Sequence, residues 1–425
     1  MRPLTFALTF LFLIAASSSK ASTALLYPEL VKRFYKQTNN ELFWLPQTTA
    51  QASKFWALMT SIHDATELGL NPAKYHLNEI SNYYKHIPTD TALAKKADHL
   101  ITDAAIALCK DIYQGNSISQ WISYDEISAR YQNTDNNYLL AGLSKVADGI
   151  EFVNFLNKLE PQTKDYILLK KELDTCKRIK DNNRTKKLII SMNYYRWIWH
   201  FQLDSFIVVN IASATLRYYK KTDLLLNMRA ILGQPNKRTP RFASYCHDVV
   251  LYPYWYMPHS IAVNEWLHSF KRNPGLLTKM DMVVLNSRGN IISPYAINWK
   301  ALNKNNFPYQ IREGTGCDNP LGVLKFNITS PYSVYMHDTN LKYAFSSVSR
   351  WRSHGCIRIQ DPIGLANLLL PEPVDTAFLK ACFHNQKPVI QPIPTPVPTF
   401  VVYMTAEVNE NGIVEYYKDV YDLLK

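Results

Sequence analysis

The sequence predicts an α+β fold in which a helical N-terminal half is followed by a mainly β half. From residue 27 to about residue 177, apolar residues recur at helical spacing, as at Phe55, Leu58 and Ile62. Beyond that point, short runs of β-branched and aromatic residues are separated by turn residues, as in 206–210. The length of 425 residues favours two or three globular domains.

The helical half is predicted as one domain over residues 22–177. A second helical segment within it carries apolar residues at Leu100, Ala104 and Leu108. A charged, Asn-containing stretch follows, so residues 178–191 are predicted as a linker.

The β half is predicted as one domain over residues 192–390. Asp361 followed by Pro362 predicts a helix start, because Asp caps a helix and Pro fits its first turn. Residues 258–310 mix helical and turn-rich segments, and we interpret them as an insertion over the β core. The predicted β-type runs lie at 188–190, 206–210, 214–219, 248–252, 282–285, 322–326, 333–336 and 357–359.

The last segment, residues 391–425, is predicted to be an extended stretch followed by a hairpin. Prolines alternate with other residues from Pro392 to Pro398, which favours an extended backbone. The runs 400–404 and 412–416 then resemble the two strands of a terminal hairpin.

Composition and charge exclude several classes of protein. The chain is 47% hydrophobic and 19% charged, which does not fit a disordered or collagen-like protein. Its net charge is +12, but Lys and Arg are interspersed with Asp and Glu and do not form the stripe of a nucleic-acid-binding protein. We therefore expect no nucleic-acid partner, and a basic surface equally suits a polyanionic cell envelope.

The N-terminus has the three-part form of a secretory signal peptide. Arg2 precedes an apolar run over residues 4–16, and small residues follow at Ser19 and Ala21. The run is shorter than the roughly 20 residues that span a bilayer. We predict a signal peptide over residues 1–21 and an exported protein; the alternative is a segment retained as a membrane anchor.

Six cysteines in an exported chain permit disulfides, whose connectivity the spacing does not reveal. All but Cys317 and Cys356 lack a surrounding motif, and we interpret those four as structural. The six are Cys109, Cys176, Cys246, Cys317, Cys356 and Cys382.

The segment Ser353-His354-Gly355-Cys356-Ile357-Arg358 carries the residue types of a cysteine nucleophile. The thiolate is the attacking form and a free cysteine has a pKa of roughly 8.5, so the thiol needs a base. His337, at the end of an apolar β run, is the candidate base. Gly355 permits close backbone approach, so the amides of residues 354–356 could donate to an oxyanion. Arg358 lies on the same strand face as the cysteine and could orient a carboxylate.

Other interpretations of these residues stay open. His337, His354 and Cys356, with Asp338, could bind zinc, although their spacing matches no familiar ligand pattern. Cys356 could be an inert buried thiol, and His354 taken alone fits a loop residue better than the general base.

The strings His337-Asp338-Thr339 and Ser353-His354-Gly355-Cys356-Ile357-Arg358 resemble the active-site motifs of the L,D-transpeptidases of the bacterial cell wall. The whole set of segments resembles the large, multidomain Gram-negative branch of that family. The further similar segments are 69–75, 102–115, 193–197, 209–211, 253–258 and 319–326.

The resemblance implies a helical scaffold domain and a YkuD-type catalytic domain with a capping insertion. Cys356 would attack a stem-peptide carbonyl, release D-Ala and form a thioester, which the amine of a second stem would resolve into a cross-link. His337 would activate the thiol, with its ring held by the backbone carbonyl of Asp338. The chemistry needs no metal, ATP or other cofactor, and we expect a periplasmic location and acylation of Cys356 by carbapenems.

Ser353, His354, Gly355, Arg358 and Asp338 would complete the site. Further candidate substrate contacts are Tyr335, Trp255 and Asn319, although Trp255 and its neighbour Tyr254 fit core or cap packing at least as well.

Two features depart from that branch. Only about a dozen residues separate Lys177 from Ser191, where a peptidoglycan-binding module commonly lies, so we expect that this module is absent. Cys317 has an unusual place shortly before Asn319, and we expect it to pair with another cysteine or to modulate the site.

Two other functions are compatible with the same motifs. With water as the acceptor, the protein would be an L,D-carboxypeptidase or a hydrolase of wall-linked peptides. The second alternative function is that of a wall-binding scaffold without catalytic activity. The expected partners are peptidoglycan stem peptides and other proteins of cell-wall synthesis.

Overall fold

A computed structural model of the protein describes residues 24–45, 48–85 and 91–424. The predicted signal peptide, residues 1–21, lies outside the described residues. Among the residues that the structure describes, no helix combines the length and apolar character needed to cross a membrane.

The helical N-terminal half that the sequence predicts is confirmed. Several helices begin after a Thr or Asp whose side chain accepts a backbone N–H of the first turn, as Thr48 does for Gln51 and Asp148 for Glu151. The helices are α1 Pro28–Gln37, α2 Thr49–His63, α3 Leu77–Lys85, α4 Thr91–Gln114, α5 Ile118–Trp121, α6 Glu126–Ser144, α7 Gly149–Leu159, α8 Lys164–Arg178 and α9 Asn182–Trp199.

Helix α4 lies at the centre of this half and carries two buried carboxylates. Asp98 accepts the backbone N–H groups of residues 43–45, and Asp103 accepts those of residues 26–27, all at 2.7–2.8 Å. A buried carboxylate is stable only with such donors, so both residues fix the N-terminal segments onto α4.

The predicted linker over residues 178–191 is not observed for most of its length, because α9 begins at Asn182. Asp181 caps this helix by accepting the backbone N–H of Arg184 at 2.9 Å. The run 188–190, predicted as a strand, is one turn of α9. Three consecutive apolar residues fit a helix as well as a strand, and here the capped start and the packing against α8 favour the helix.

The second half is mainly β. Eight strands pair in the order β5-β10-β11-β13-β4-β3-β2-β14, and β14 also pairs with β5, so they form a closed ring. The strands are β1 Tyr124–Asp125, β2 Ser205–Asn210, β3 Thr215–Lys220, β4 Asp223–Gly233, β5 Phe242–Leu251, β6 Trp255–Tyr256, β7 Met282–Leu285, β8 Ile291–Ile292, β9 Gln310–Glu313, β10 Leu324–Ile328, β11 Met336–His337, β12 Trp351–Ser353, β13 Ile357–Ile359, β14 Val389–Val402, β15 Ala406–Val408 and β16 Val414–Tyr416.

The predicted insertion is a separate layer, which we call the cap and which runs from Trp255 to Glu313. It has its own sheet, in the order β6-β9-β7-β8, and its own apolar core around Phe270 and Trp299. The helices of the cap are α10 His259–Ile261, α11 Leu267–Arg272 and α12 Leu276–Lys279. A π-helical turn, Ala262–Trp266, joins α10 to α11.

The strands of the ring bury apolar side chains on both faces. On the inner face, Phe326, Met336 and Ile357 pack in one cluster with α13 Pro362–Leu369 and α14 Thr376–Lys380. Asp361 caps α13, as predicted, by accepting the backbone N–H of Gly364 at 2.8 Å. On the outer face, β2, β5 and β14 share a second cluster with α8 and α9, so the two halves of the chain have a common core.

More of the C-terminal segment belongs to the ring of strands than predicted. Strand β14 includes both the proline-rich stretch and residues 400–402, and it pairs with β5 and β2. The terminal hairpin is formed by β15 and β16 instead of 400–404 and 412–416. The register of β14 shifts between Pro392 and Val397, because prolines lack the N–H that a ladder needs.

Candidate active site

Strands β10, β11 and β13 place five side chains on one outer face of the ring. His337 lies opposite Lys325 of β10 and opposite Arg358 of β13. Side chains alternate between the faces of a strand, so Tyr335 and Cys356, each two residues earlier, belong to the same face. The register of three strands therefore brings the predicted nucleophile and base together.

Cys356 lies in a tight loop between β12 and β13. Gly355 has a φ of +122°, which side chains other than hydrogen rarely permit. Ser353 Oγ donates to the carbonyl oxygen of Cys356 at 2.6 Å and accepts the backbone N–H of Gly355 at 3.1 Å. Thr239 Oγ1 donates to the carbonyl oxygen of Gly355 at 2.9 Å. These bonds hold the loop that carries the thiol.

The same bonds correct one expectation about the oxyanion site. The N–H of Gly355 is directed to Ser353 Oγ and is not free to contact a substrate. The predicted donors that are left are the N–H groups of His354 and Cys356. Ser353 contributes by shaping the loop.

The thiol of Cys356 is partly exposed and carries its proton at neutral pH. Its Sγ lies 3.8 Å from the carbonyl oxygen of Ser333. Burial raises the pKa of Cys356, whereas hydrogen bonds with Tyr335 and the charges of Lys325 and Arg358 act in the opposite direction. The groups that favour the thiolate are thus already in place around it.

His337 is a buried, neutral imidazole. Its Nδ1 donates to the carbonyl oxygen of Asp338 at 2.5 Å, as the family resemblance implies, which leaves Nε2 as the proton acceptor. Burial, followed by the charge of Arg358, lowers the pKa of His337 to about 3. At rest the site therefore holds a thiol and a neutral imidazole, and not an ion pair.

Asp338 supports this arrangement with its side chain as well as its carbonyl group. Its Oδ2 accepts the backbone N–H of Val323 at 3.1 Å, and its Oδ1 pairs with Lys342. The carboxylate thereby ties the end of β11 to the start of β10.

The cap reaches the nucleophile loop through Glu265. Its Oε1 accepts from Lys237 Nζ at 2.7 Å and lies 3.0 Å from His354 Nε2. The hydrogen bond from Lys237, with a smaller contribution from His354, lowers the pKa of Glu265. His354 is thus directed to the cap, in agreement with its interpretation as a loop residue.

Of the three candidate substrate contacts, only Tyr335 lies beside the thiol; its ring centroid is 5.6 Å from that of His337. Trp255 belongs to β6 and packs against the core of the cap. Asn319 donates from Nδ2 to the carbonyl oxygen of Gly314 at 2.6 Å and accepts the N–H of Leu321 on Oδ1 at 2.7 Å, so its amide organises its own turn.

Cys317 forms a disulfide with Cys382, which joins the loop before β10 to the segment after α14. The other described cysteines outside the site are buried free thiols, namely Cys109, Cys176 and Cys246.

The zinc interpretation finds no ligand set in the structure. His337 is bonded to a carbonyl group, His354 to the cap and Asp338 to Lys342. Within residues 24–45, 48–85 and 91–424, no three His, Cys, Asp or Glu side chains gather as metal ligands.

Sequence reasoning missed three contributors to the site. Lys325 interrupts an apolar run, which indicates an outward side chain, but only the strand register places it next to His337. Glu265 and Thr239 lie far from the motifs in sequence and carry no local signal.

Comparison with known proteins shows which families the chain is similar to. Residues 204–389 match the family model described as the L,D-transpeptidase catalytic domain, YkuD. This part of the chain is similar to L,D-transpeptidase catalytic domains. Residues 29–173 match the model described as the scaffold domain. Residues 174–203, between the two matches, comprise the end of α8, α9 and the turn that leads to β2.

Individual relatives and solved structures are similar to this chain to the following extent. A protein of Haemophilus influenzae named as a candidate L,D-transpeptidase is 32% identical over 305 residues, which cover 71% of this chain and 61% of that protein. An L,D-transpeptidase from Mycobacterium smegmatis is 14% identical, covers 47% of this chain and 58% of its own, and has a TM-score of 0.21. The ertapenem-acylated catalytic domain of the E. faecium L,D-transpeptidase is also 14% identical, with coverages of 47% and 96% and a TM-score of 0.22.

Proposed function

We propose that this protein is a peptidoglycan L,D-transpeptidase that cross-links stem peptides through a thioester on Cys356. The observation that carries the proposal is the shared face of β11 and β13, which holds a partly exposed thiol and a buried, neutral histidine. Among the described residues, the Nε2 atom of this histidine has no hydrogen-bond partner. A thiol and a base held on rigid strands form the general arrangement of nucleophilic catalysis.

In the first half-reaction, Cys356 attacks the carbonyl carbon between the diamino acid and the terminal D-Ala of a donor stem. His337 Nε2 accepts the thiol proton as the sulfur–carbon bond forms, so no free thiolate has to accumulate beforehand. The N–H groups of His354 and Cys356 would stabilise the oxyanion. The proton on Nε2 then passes to the departing amine, so D-Ala leaves and a thioester is left on the enzyme.

In the second half-reaction, the side-chain amine of an acceptor stem attacks the thioester. His337 Nε2 accepts a proton from that amine, the new amide bond forms, and the thiol is regenerated when the proton returns to sulfur. The energy of the cleaved peptide bond is retained in the thioester, so no ATP is consumed.

Arg358 is the proposed contact for a carboxylate of the stem peptide. It lies two residues from the nucleophile on the same face, and within the described part of the chain its buried Nε has no hydrogen-bond partner. An unpaired buried guanidinium nitrogen favours an anionic ligand. We propose that the enzyme acts in the periplasm, where its substrate lies, after export by the N-terminal segment.

The test is mass spectrometry of the products formed by the purified protein from tetrapeptide-bearing muropeptides. We expect cross-linked dimers, and we expect Cys356→Ala to lower their rate of formation at least about a thousandfold while thermal unfolding stays unchanged. Normal turnover by Cys356→Ala would refute the proposal. Tripeptides without dimers would instead identify a carboxypeptidase, and no product from either protein would favour a wall-binding scaffold.

Acylation by a carbapenem provides a second, independent test of the nucleophile. Incubation should increase the intact mass of the protein by one adduct, which peptide mapping should place on Cys356. An unmodified mass would count against an accessible, activated thiol.

A further inference from the structure

Lys325 is a cation whose charge acts on the nucleophile and that the proposed reaction leaves without a role. It lies on β10, between Val250 of β5 and His337 of β11 in the strand register. Its Nζ is 4.4 Å from the centroid of the Tyr335 ring, which is the distance of a cation–π contact. Tyr335 in turn shares a strand face with Cys356, and its interaction with the thiol lowers the pKa of Cys356.

The ammonium group of Lys325 is held there without a carboxylate partner. In the described part of the chain, none of the ion pairs includes Lys325, and the carboxylate of Asp248 on β5 accepts instead from Asn327 Nδ2 at 2.7 Å. Burial lowers the pKa of Lys325, while the negative charges of Cys356 and Asp248 act in the opposite direction. The position is therefore unfavourable for a lysine unless a nearby negative charge develops.

We propose that Lys325 is a positioning residue for the nucleophile. It fixes the ring of Tyr335 so that the hydroxyl group reaches Cys356, and its charge stabilises the thiolate as it forms. This inference rests on the proposed role of Cys356 as the attacking group.

The charged and titratable groups around the thiol come from three strands, and Asp248 of β5 acts on Lys325 from the other side. Tyr335 and His337 come from β11 and the residues before it, Lys325 from β10, and Arg358 from β13. Both cations disfavour protonation of His337 and favour ionisation of Cys356. Removal of Lys325 should therefore make the thiol less acidic and the imidazole more basic.

The experiment measures how fast iodoacetamide alkylates Cys356 as a function of pH, in the full chain and by peptide mapping. For Lys325→Met we expect the alkylation midpoint to move upward by about 0.5 to 1 pH unit, and the rate at pH 7 to fall about 3- to 10-fold. Lys325→Arg, which keeps the charge and the cation–π contact, should stay within about twofold of the wild type. Superimposable profiles for Lys325→Met and the wild type would overturn the proposal.

A second variant separates the two parts of the proposed role. If Lys325 acts through Tyr335, then Lys325→Met should have a smaller effect in a Tyr335→Phe background than in the wild type. An equal effect in both backgrounds would eliminate the ring-positioning part. If Lys325→Met fails to fold, Lys325→Gln also removes the charge and can be tested in the same way.

Alkylation depends on the thiol alone and not on any wall peptide. A wild type that alkylates normally but forms no cross-links would refute the proposed function and leave this test valid. A changed profile in Lys325→Met with normal cross-linking by the wild type supports both.

Discussion

Two regions of one sheet surface differ in what lies against them. On β2 and β14, the outward side chains of Phe206, Val208, Phe400 and Val402 are buried against α8 and α9. On β10, β11 and β13, the outward side chains are polar or titratable and surround a partly exposed thiol. The strands alternate in the same way in both regions, so the covering layer determines whether an outward position contributes stability or chemistry.

The largest effect on the covered region should come from truncating an outward aromatic ring. Phe400 is fully buried, with its ring centroid 5.1 Å from that of Trp197 on α9. We expect Phe400→Ala to reduce the free energy of unfolding by about 3 to 5 kcal/mol, measured by denaturant unfolding.

The matched change on the open region is Tyr335→Phe, which removes only a hydroxyl group. It should slow alkylation of Cys356 while lowering the free energy of unfolding by less than about 1.5 kcal/mol. A large loss of stability from Tyr335→Phe, or none from Phe400→Ala, would contradict the distinction between the two regions.

A buried ion pair sharpens the comparison, because it places a charge on the covered face. Arg217 of β3 lies opposite Val208 of β2, and its Nη1 donates to Glu407 Oε1 at 3.0 Å. We expect Arg217→Met to cost about 3 kcal/mol, since it leaves the Glu407 carboxylate buried and unpaired. The double variant Arg217→Met with Glu407→Met should recover most of that loss in the same unfolding measurement. If the loss is not recovered, the two side chains stabilise the fold by more than the pairing of their charges.

The buried base of the open region should make stability depend on pH. The pKa of His337 is lowered to about 3 in the folded protein, against roughly 6.5 in an unfolded chain. The unfolded state therefore binds more protons between these values, so this contribution to stability is complete above about pH 6.5 and declines as the pH falls toward 3.

The expected size of this effect at pH 5 is about 2 kcal/mol relative to pH 7. Gln at position 337 can donate a hydrogen bond but does not titrate, so His337→Gln should lose less stability than the wild type over this range. Thermal unfolding of both proteins at pH 5 and pH 7 measures the difference, and equal losses would exclude His337 as the source.

The smallest effect should come from the contact between the cap and the nucleophile loop. The side chains of Glu265 and His354 are each more than one-third exposed, so the ion pair should contribute less than about 1 kcal/mol. We expect Glu265→Gln to speed hydrogen exchange in the cap and to increase the alkylation rate of Cys356, with little change in overall stability. An unchanged exchange rate would show that other cap contacts hold it in place.

The sequence predicted much of this site because its chemistry is encoded locally. The segment from Ser353 to Arg358 is contiguous, and the buried helix α4 follows from a long apolar period. The linker was predicted incorrectly, since the short apolar run 188–190 fits either a helix or a strand until a partner is known. The first strand of the terminal hairpin was misplaced, because residues 400–402 pair within the ring and the hairpin begins at Ala406. The N–H of Gly355 could not be assigned from sequence, because its partner Ser353 Oγ depends on the turn of the loop.

The sequence by itself determined the α+β order of the halves, the residue types of the nucleophile and base, and the glycine that the loop requires. Only the tertiary structure decided that Lys325, Tyr335 and His337 share the face of Cys356 and Arg358, and that Glu265 of the cap reaches the loop. Strand register and long-range ion pairs join residues that are distant in the chain, and a linear pattern carries no information about which strands pair. For that reason the reactive residues could be named from the sequence, whereas the position of Lys325 beside them could not.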